Sequence, residues 1–317
     1  MKLVVITGCL GLIGNYVTRK CLEQGWKVFG IDKLTYAANL WALEEFSKNN
    51  NFTFLNSDIC DLKSLPDCDY VINIAAETHV ENSITDSDTF IKTNIVGVKN
   101  LLNLIKDKHS NVFKRPILFH FSTDEVYGDI KEGSHKETDI LTPSNPYSAS
   151  KAAADMLIMA WARTYDIEYV ILRPTNNYGI GQYCEKLIPL SIKLLQLGRK
   201  INLHDEGKPV RNWLHADDTA EAVITIIKSG ITNEIFNVSG NLEQENIITA
   251  TNILEAFLGK KNVDTNQYFN LQFKRRGQDV RYALDDTKLR NLGWSNKIIF
   301  LNELPSIIEY YKNNFKW

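Results

Sequence analysis

Three glycines, Gly8, Gly11 and Gly14, stand three apart between a short β-branched run, residues 2–7, and an apolar-periodic stretch reaching about residue 23. The run reads as a fully buried strand and the stretch as a helix. Glycines at this spacing turn the chain tightly, let the backbone approach a pyrophosphate, and let helix and strand pack closely. The helix N-terminus then faces the phosphates. A second strand, residues 27–31, leads to Asp32, 18 residues after Gly14. An acid there accepts hydrogen bonds from a ribose and repels a 2′-phosphate. That favours NAD over NADP, although the neighbouring Lys33 works against the repulsion.

The alternation continues. Residues 52–55 form a third strand expectation, followed by Asp58 and Ile59 as an adenine contact. Residues 69–74 form a fourth, followed by Ala75 and Ala76, whose small side chains suit close backbone approach to a cofactor. Residues 116–121 and 167–172 add a fifth and a sixth. Between the fourth and the fifth, residues 88–108 carry Ile91, Ile95, Val98, Leu102 and Ile105 at helical spacing. The fold expected is α/β: a Rossmann-type doubly wound parallel sheet with a smaller C-terminal α/β substrate lobe. Residues 1–175 with about 210–240 would make the dinucleotide-binding domain, the strand at 234–238 rejoining the main sheet. Residues 176–209 and 241–317 would make the other lobe.

Composition narrows the function classes. A net charge of −2 argues against nucleic acid as a partner. No apolar run approaches the roughly 20 residues of a membrane span. Met1-Lys2 leads straight into a buried strand without a signal-peptide pattern, so a cytoplasmic location is expected. Five cysteines without C-x-x-C spacing, and six histidines without ligand spacing, indicate neither disulfides nor a metal.

The chemistry centres on Ser122-Thr123-Asp124-Glu125-Val126-Tyr127-Gly128, directly after the fifth strand. Ligands of open α/β sheets bind outside the carboxyl ends of the strands. Two adjacent carboxylates there can supply an acid and a base to neighbouring atoms. Tyr147 and Lys151, four apart, share one helix face. A tyrosine of pKa ~10 is a poor base at neutral pH, and a nearby ammonium favours its phenolate. Tyr147 is therefore a candidate base toward a sugar hydroxyl. Arg276 and Arg281, with Arg211, form a basic region suited to a pyrophosphate, or simply a solvated charged surface. His79 lies on the ligand side of the sheet, as a substrate contact or a structural histidine.

Together these motifs resemble the extended short-chain dehydrogenase/reductase family, and within it the nucleotide-sugar 4,6-dehydratases. Residues 8–14, 31–37, 75–80, 122–128, 147–151, 176–179, 185–189 and 211–214 carry the resemblance. It implies that Tyr147 takes the C4 hydroxyl proton while hydride passes to NAD, and that Lys151 holds the nicotinamide ribose. Thr123 would hydrogen-bond the C4 oxygen, Glu125 would remove the C5 proton and Asp124 would protonate the departing C6 hydroxyl. Hydride returns to C6, giving a 4-keto-6-deoxy sugar. The resemblance also puts Gly8, Gly11, Leu12, Ile13, Gly14, Asp32, Lys33, Asp58, Ile59, Ala75, Ala76, Ser122, Tyr147, Lys151 and Asn176 at the cofactor. It puts His79, Asn82, Ser83, Asn177, Glu185, Lys186, Leu187, Arg211, Asn212, Arg276 and Arg281 at the nucleotide sugar.

Two segments depart from the pattern of the glucose-type enzymes: Glu81-Asn82-Ser83 and Arg173-Pro174-Thr175, both expected near the sugar. They look similar to dehydratases of N-acetylhexosamine nucleotides, such as those of legionaminic acid biosynthesis. GDP-N-acetylglucosamine is accordingly the first substrate expectation and dTDP-glucose the second. The resemblance further implies a homodimer through helices 88–108 and 147–165. A 4-epimerase using Tyr147 and Lys151 without elimination, and a non-catalytic NAD-binding scaffold, are the competing readings.

Overall fold

The structure, a computed structural model, describes residues 1–108, 115–273 and 279–314. Seven parallel strands make the main sheet: β1 (Leu3–Thr7), β2 (Lys27–Asp32), β3 (Phe52–Asn56), β4 (Tyr70–Asn73), β5 (Ile117–Phe121), β6 (Tyr169–Pro174) and β10 (Glu234–Val238). Their spatial order is β10-β6-β5-β4-β1-β2-β3. The order reverses beside β1, which opens a crevice at the strands' carboxyl ends. The strand expected at 234–238 does join this sheet, paired with β6 from Glu234↔Val170 to Val238↔Pro174.

Both faces of the sheet are covered, as all-parallel sheets require. On one face Val17 and Cys21 of helix Leu12–Glu23 pack with Val223 and Ile227 of helix Ala216–Ser229. On the other, Leu101 and Ile105 of helix Val98–Asp107 pack with Ala154 and Ile158 of helix Pro146–Tyr165. The doubly wound α/β expectation is therefore met.

Three elements differ from the sequence expectation. The helix over 88–108 is not uniform: Ser87–Phe90 and Val98–Asp107 are α-helical, but Ile91–Gly97 winds as a wider π-helix. The widened segment carries Asn94, which is buried. Asn94 exchanges two hydrogen bonds with the Glu77 main chain, at 2.9 and 3.0 Å, and donates to Ser150 Oγ at 2.9 Å. It thereby ties this helix to the cleft edge, and π-turns recur at functional sites for such reasons. Next, the strand at 210–215, β9 (Val210–His215), pairs with β7 (Asn176–Tyr178) and β11 (Leu242–Glu245) in a separate sheet. Last, β8 (Ile201–His204) and β12 (Phe269–Phe273) pair in parallel.

A separate apolar cluster holds the C-terminal part. Ile188 and Ile192 of helix Leu187–Gln196 meet Ile253 and Leu254 of helix Asn246–Leu258, and Leu304 and Ile307 of helix Phe300–Asn313. Among the described residues, no helix is long and apolar enough to cross a membrane.

Candidate active site

The glycine turn is built by close approach. Gly8 sits at φ +66°, and a Cβ there would lie 2.7 Å from Ala75 Cα. A Cβ on Gly14 would lie 1.9 Å from the Gly8 carbonyl oxygen. Gly11, by contrast, would meet nothing nearer than 3.5 Å. It faces the cleft and caps helix Leu12–Glu23 without a side-chain cap, leaving main-chain N–H groups for an anion. Gly8, Gly11, Leu12, Ile13, Asp32, Lys33, Asp58, Ile59, Ala75, Ala76, Ser122, Tyr147 and Asn176 all line this inner cleft of about 320 Å³. Gly14 and Lys151 do not: the part of Gly14 is helix–strand packing, and Lys151 is buried behind the lining.

The ribose end is acidic. The Asp32 carboxylate accepts from Leu10 N at 3.1 Å and Leu34 N at 2.9 Å, and burial raises its pKa against those two bonds. Lys33 does not present a free cation. Its Nζ lies 2.9 Å from Glu77 Oε1 and 3.7 Å from Asp58 Oδ2. At the far end the Asn176 Oδ1 atom is buried without a partner among the described residues. An anion-ready turn, a ribose-facing carboxylate and an unfilled polar atom at the sheet's switch point fit a dinucleotide.

The candidate catalytic cluster sits where β5 ends. A 3₁₀ turn, Asp124–Tyr127, starts there with Thr123 as its cap. Thr123 Oγ1 donates to Asp124 Oδ1 at 3.1 Å and accepts from Glu125 N at 3.4 Å, beside the Tyr147 side chain. Asp124 is 3% exposed, and its Oδ2 has no partner among the described residues. Burial, then the Glu125 charge, pushes its pKa up to about 7. Asn145 Nδ2 donates to Glu125 Oε2 at 3.3 Å. Asn145 also caps helix Pro146–Tyr165 through a capping box with Ser148, which fixes Tyr147 in the first turn. The two neighbouring carboxyl groups thus differ in environment: one buried and prone to hold a proton, one amide-bonded at the cleft.

Lys151 behaves otherwise than the i, i+4 spacing predicts. It makes no hydrogen bond to Tyr147 among the described residues; its Nζ donates to the Phe121 carbonyl at 2.5 Å. Burial lowers its pKa to about 8, opposed by Asp155. The Tyr147 pKa is pushed well above its ordinary value by burial, then by Glu125. The geometric pair is present, but the expected depression of the phenol by the ammonium is not.

A second recess of about 290 Å³ continues the cleft. The two share Thr78, Glu125, Asn176, Asn177, Gln182, Glu185 and Lys186. His79, Leu187 and Arg211 also line the recess. His79 does both things expected of it: it faces the recess, and its Nδ1 accepts from Asn82 N at 3.3 Å. The Arg211 guanidinium lies 4.6 Å over the Tyr282 ring, its Nη2 donating to Asp279 O at 3.1 Å.

Four expected substrate residues lie outside the recess lining. Asn82 serves the short helix Val80–Thr85. Ser83 Oγ is buried, accepting from Tyr147 N at 3.2 Å. Asn212 donates to Ser239 Oγ at 3.2 Å in the interior. Arg281 is drawn to Glu243 and to Gly133 O, because an ion pair with a nearby carboxylate wins over open solvent. Arg276 falls outside the described residues. Arg173 is likewise not beside the sugar: it is 1% exposed and pairs with Asp155 behind the cleft, whereas Pro174 and Thr175 line the inner cleft.

The residues missed from sequence include Thr78, Glu81, Gln182, Asn202, His204, Trp213, Asn246 and Tyr282, all on the recess. Thr78, Glu81 and Trp213 lay in quoted motifs. The others carry no local signal, since chain segments far apart in sequence bring them together. Among the described residues, no group of three or more His, Cys, Asp or Glu could hold a metal ion.

Comparison with known proteins agrees with this geometry. The GDP-mannose 4,6 dehydratase family matches residues 5–305. A probable dTDP-glucose 4,6-dehydratase of Sinorhizobium fredii (strain NBRC 101917 / NGR234) is 38% identical over 330 residues, 99% of this chain and 94% of its own length. The dTDP-glucose 4,6-dehydratase of Haemophilus influenzae is 37% identical, covering 99% of each chain. The crystal structure of DesIV, a dTDP-glucose 4,6-dehydratase from Streptomyces venezuelae with NAD and TYD bound, superposes with a TM-score of 0.91 at 33% identity, covering 98% of this chain and 97% of that one. A glycine cradle, a Thr-Asp-Glu turn and a Tyr/Lys helix in one cleft, matched over nearly the whole length, place this chain in the GDP-mannose 4,6 dehydratase family.

Proposed function

We propose that this protein is an NAD-dependent nucleotide-sugar 4,6-dehydratase, a hydro-lyase that makes a 4-keto-6-deoxy sugar nucleotide. The observation that carries it is the Asp124 carboxyl: buried, disposed to hold a proton near neutrality, with one oxygen unpartnered, beside Glu125. Elimination of water needs an acid at the leaving hydroxyl and a base at the neighbouring carbon. An epimerase needs neither.

NAD, held by the Gly8–Gly11–Gly14 turn, Asp32 and Asn176, supplies the hydride acceptor and donor. The protein's own groups do the rest. Tyr147 accepts the C4 hydroxyl proton, with Thr123 beside its side chain and placed to hold the C4 oxygen. Burial and the Glu125 charge hold the phenol proton, so phenolate forms only where a positive charge joins the cleft. Glu125 takes the C5 proton and Asp124 gives its own to the C6 hydroxyl.

Two substrates have specific support. For GDP-N-acetylglucosamine, and with it a role in legionaminic acid biosynthesis, the support is Glu81 on the recess, its Oε1 3.2 Å from His204 Nε2. A carboxylate offers two acceptors, which suits the adjacent N1–H and N2–H donors of guanine; thymine offers one N–H between two carbonyls. For dTDP-glucose, the support is the activity named for the relatives at 37–38% identity. The proposal includes residues 1–175 with about 210–240 as the NAD-binding part, and 176–209 with 241–317 as the nucleotide-sugar lobe. It also includes a cytoplasmic homodimer through the helices at 88–108 and 147–165, on which Ile91, Val96 and Met156 are exposed.

The test is mass spectrometry of the protein incubated separately with GDP-N-acetylglucosamine, UDP-N-acetylglucosamine and dTDP-glucose. Loss of one water from one of them establishes the reaction and selects the substrate. Conversion to an isomer of equal mass would hand the site to the epimerase reading.

A further inference from the structure

Arg173 is among the largest fully buried side chains of the protein, and the reaction as derived above does not use it. Its guanidinium reaches in two directions. Nε and Nη2 lie 3.0 and 2.9 Å from Asp155 Oδ2. Asp155 is fully buried, one helical turn beyond Lys151 on helix Pro146–Tyr165, and also accepts from Ser122 Oγ at 3.1 Å. On the other side Nη1 donates to Tyr127 Oη at 2.7 Å. Tyr127 ends the 3₁₀ turn that carries Asp124 and Glu125. Its ring lies under the Arg173 guanidinium at 4.7 Å and is stacked with the His135 ring at 4.9 Å. Its hydroxyl donates to Asn237 Oδ1 at 2.8 Å.

The two catalytic segments therefore share one buried cation. The helix with Tyr147 and Lys151 handles the proton at C4. The turn with Asp124 and Glu125 handles the protons at C5 and C6. Both must address one sugar, and a misplacement of about 1 Å can cost up to about 100-fold in rate. A planar fork with fixed donors registers two elements against each other better than a flexible ammonium.

We propose that Arg173 is a positioning residue for the elimination step, holding the Asp124/Glu125 turn in register with the Tyr147/Lys151 helix through Tyr127 and Asp155. This rests on the dehydratase reading. Tyr127→Phe removes one hydroxyl and cuts the link on the turn side alone. Arg173→Lys keeps a charge for Asp155 but loses the fork that reaches Tyr127.

The experiment measures kcat for substrate deuterated at C4 or at C5, for the wild type and both variants, alongside thermal unfolding. The substrate is whichever nucleotide sugar the wild type dehydrates. In both variants we expect kcat to fall by roughly 10- to 100-fold with little change in KM. The C5 isotope effect should grow and the C4 effect shrink, because elimination alone has slowed. A lower kcat with the isotope effects unchanged would mean a purely structural role and overturn the proposal. Wild-type-like kcat in Tyr127→Phe would overturn it as well, with the dehydratase reading intact. A wild type that only epimerises would remove the elimination step, and the proposal with it.

Discussion

The Lys151 ammonium donates to the main-chain carbonyl of Phe121 at 2.5 Å, and so pins the catalytic helix to the end of β5. The charge is buried at a cost: its pKa falls to about 8 from 10.5. Between those values the unfolded chain binds more protons than the folded one, so this group makes stability rise with pH. Lys151→Met should abolish turnover yet unfold no lower than the wild type at pH 7. Any advantage should shrink toward pH 10. A melting temperature several degrees lower at pH 7 would show that the bond to Phe121 outweighs the buried charge.

Asp124 shifts the other way. A carboxyl raised to about 7 binds its proton more tightly in the folded state than in the unfolded one. Its contribution to stability is complete below the unfolded pKa near 3.8 and is lost as pH rises through about 7. Asp124→Asn should therefore be more stable than the wild type at pH 8, with the gap closing toward pH 4. Water loss should fall by at least about 100-fold, the lower end of what a positioned general acid contributes. Thermal melts across pH and a mass-spectrometric rate check the two halves separately.

Glu125→Gln keeps the shape and the acceptor oxygen for Asn145 but removes the base. It should stop water loss while leaving nucleotide-sugar binding within a few-fold. If the variant dehydrates at the wild-type rate, the assignment of the base is wrong.

Gly14→Ala probes the cofactor cradle. With a Cβ 1.9 Å from the Gly8 carbonyl oxygen, the turn or the helix must move. We expect a loss of roughly 1–3 kcal/mol in stability, as for overpacked sites. We also expect weaker NAD binding, read by cofactor content after purification and by titration.

Lys33 is held by Glu77 and Asp58 rather than left to meet a 2′-phosphate, and Asp32 adds a negative charge there. NAD should bind at least about 100-fold more tightly than NADP, since like-charge juxtaposition costs several kcal/mol. Glu77→Gln should narrow that ratio by releasing Lys33. Equal affinities in the wild type would contradict the acidic reading of this end.

The sequence by itself determined the strands of the first half, the phosphate turn and the candidate catalytic set. Each depends on short-range spacing: buried β-branched runs, glycines three apart, Tyr147 and Lys151 one turn apart, and two carboxylates after a strand. Tertiary structure decided where the charges went. Arg173 reads as part of a segment near the sugar and Arg281 as a ligand contact, yet the first turns inward to Asp155 and the second to Glu243. Lys151 reads as a partner of Tyr147, yet it satisfies Phe121. The recess joins residues 78–81, 185–190, 202–204, 246 and 282, segments that only the packing of two cores brings together. The physical reason is the same throughout. Periodicity tells which face of an element is buried, whereas a long charged side chain goes to whichever opposite charge or carbonyl the fold sets within reach, and that choice is made in three dimensions.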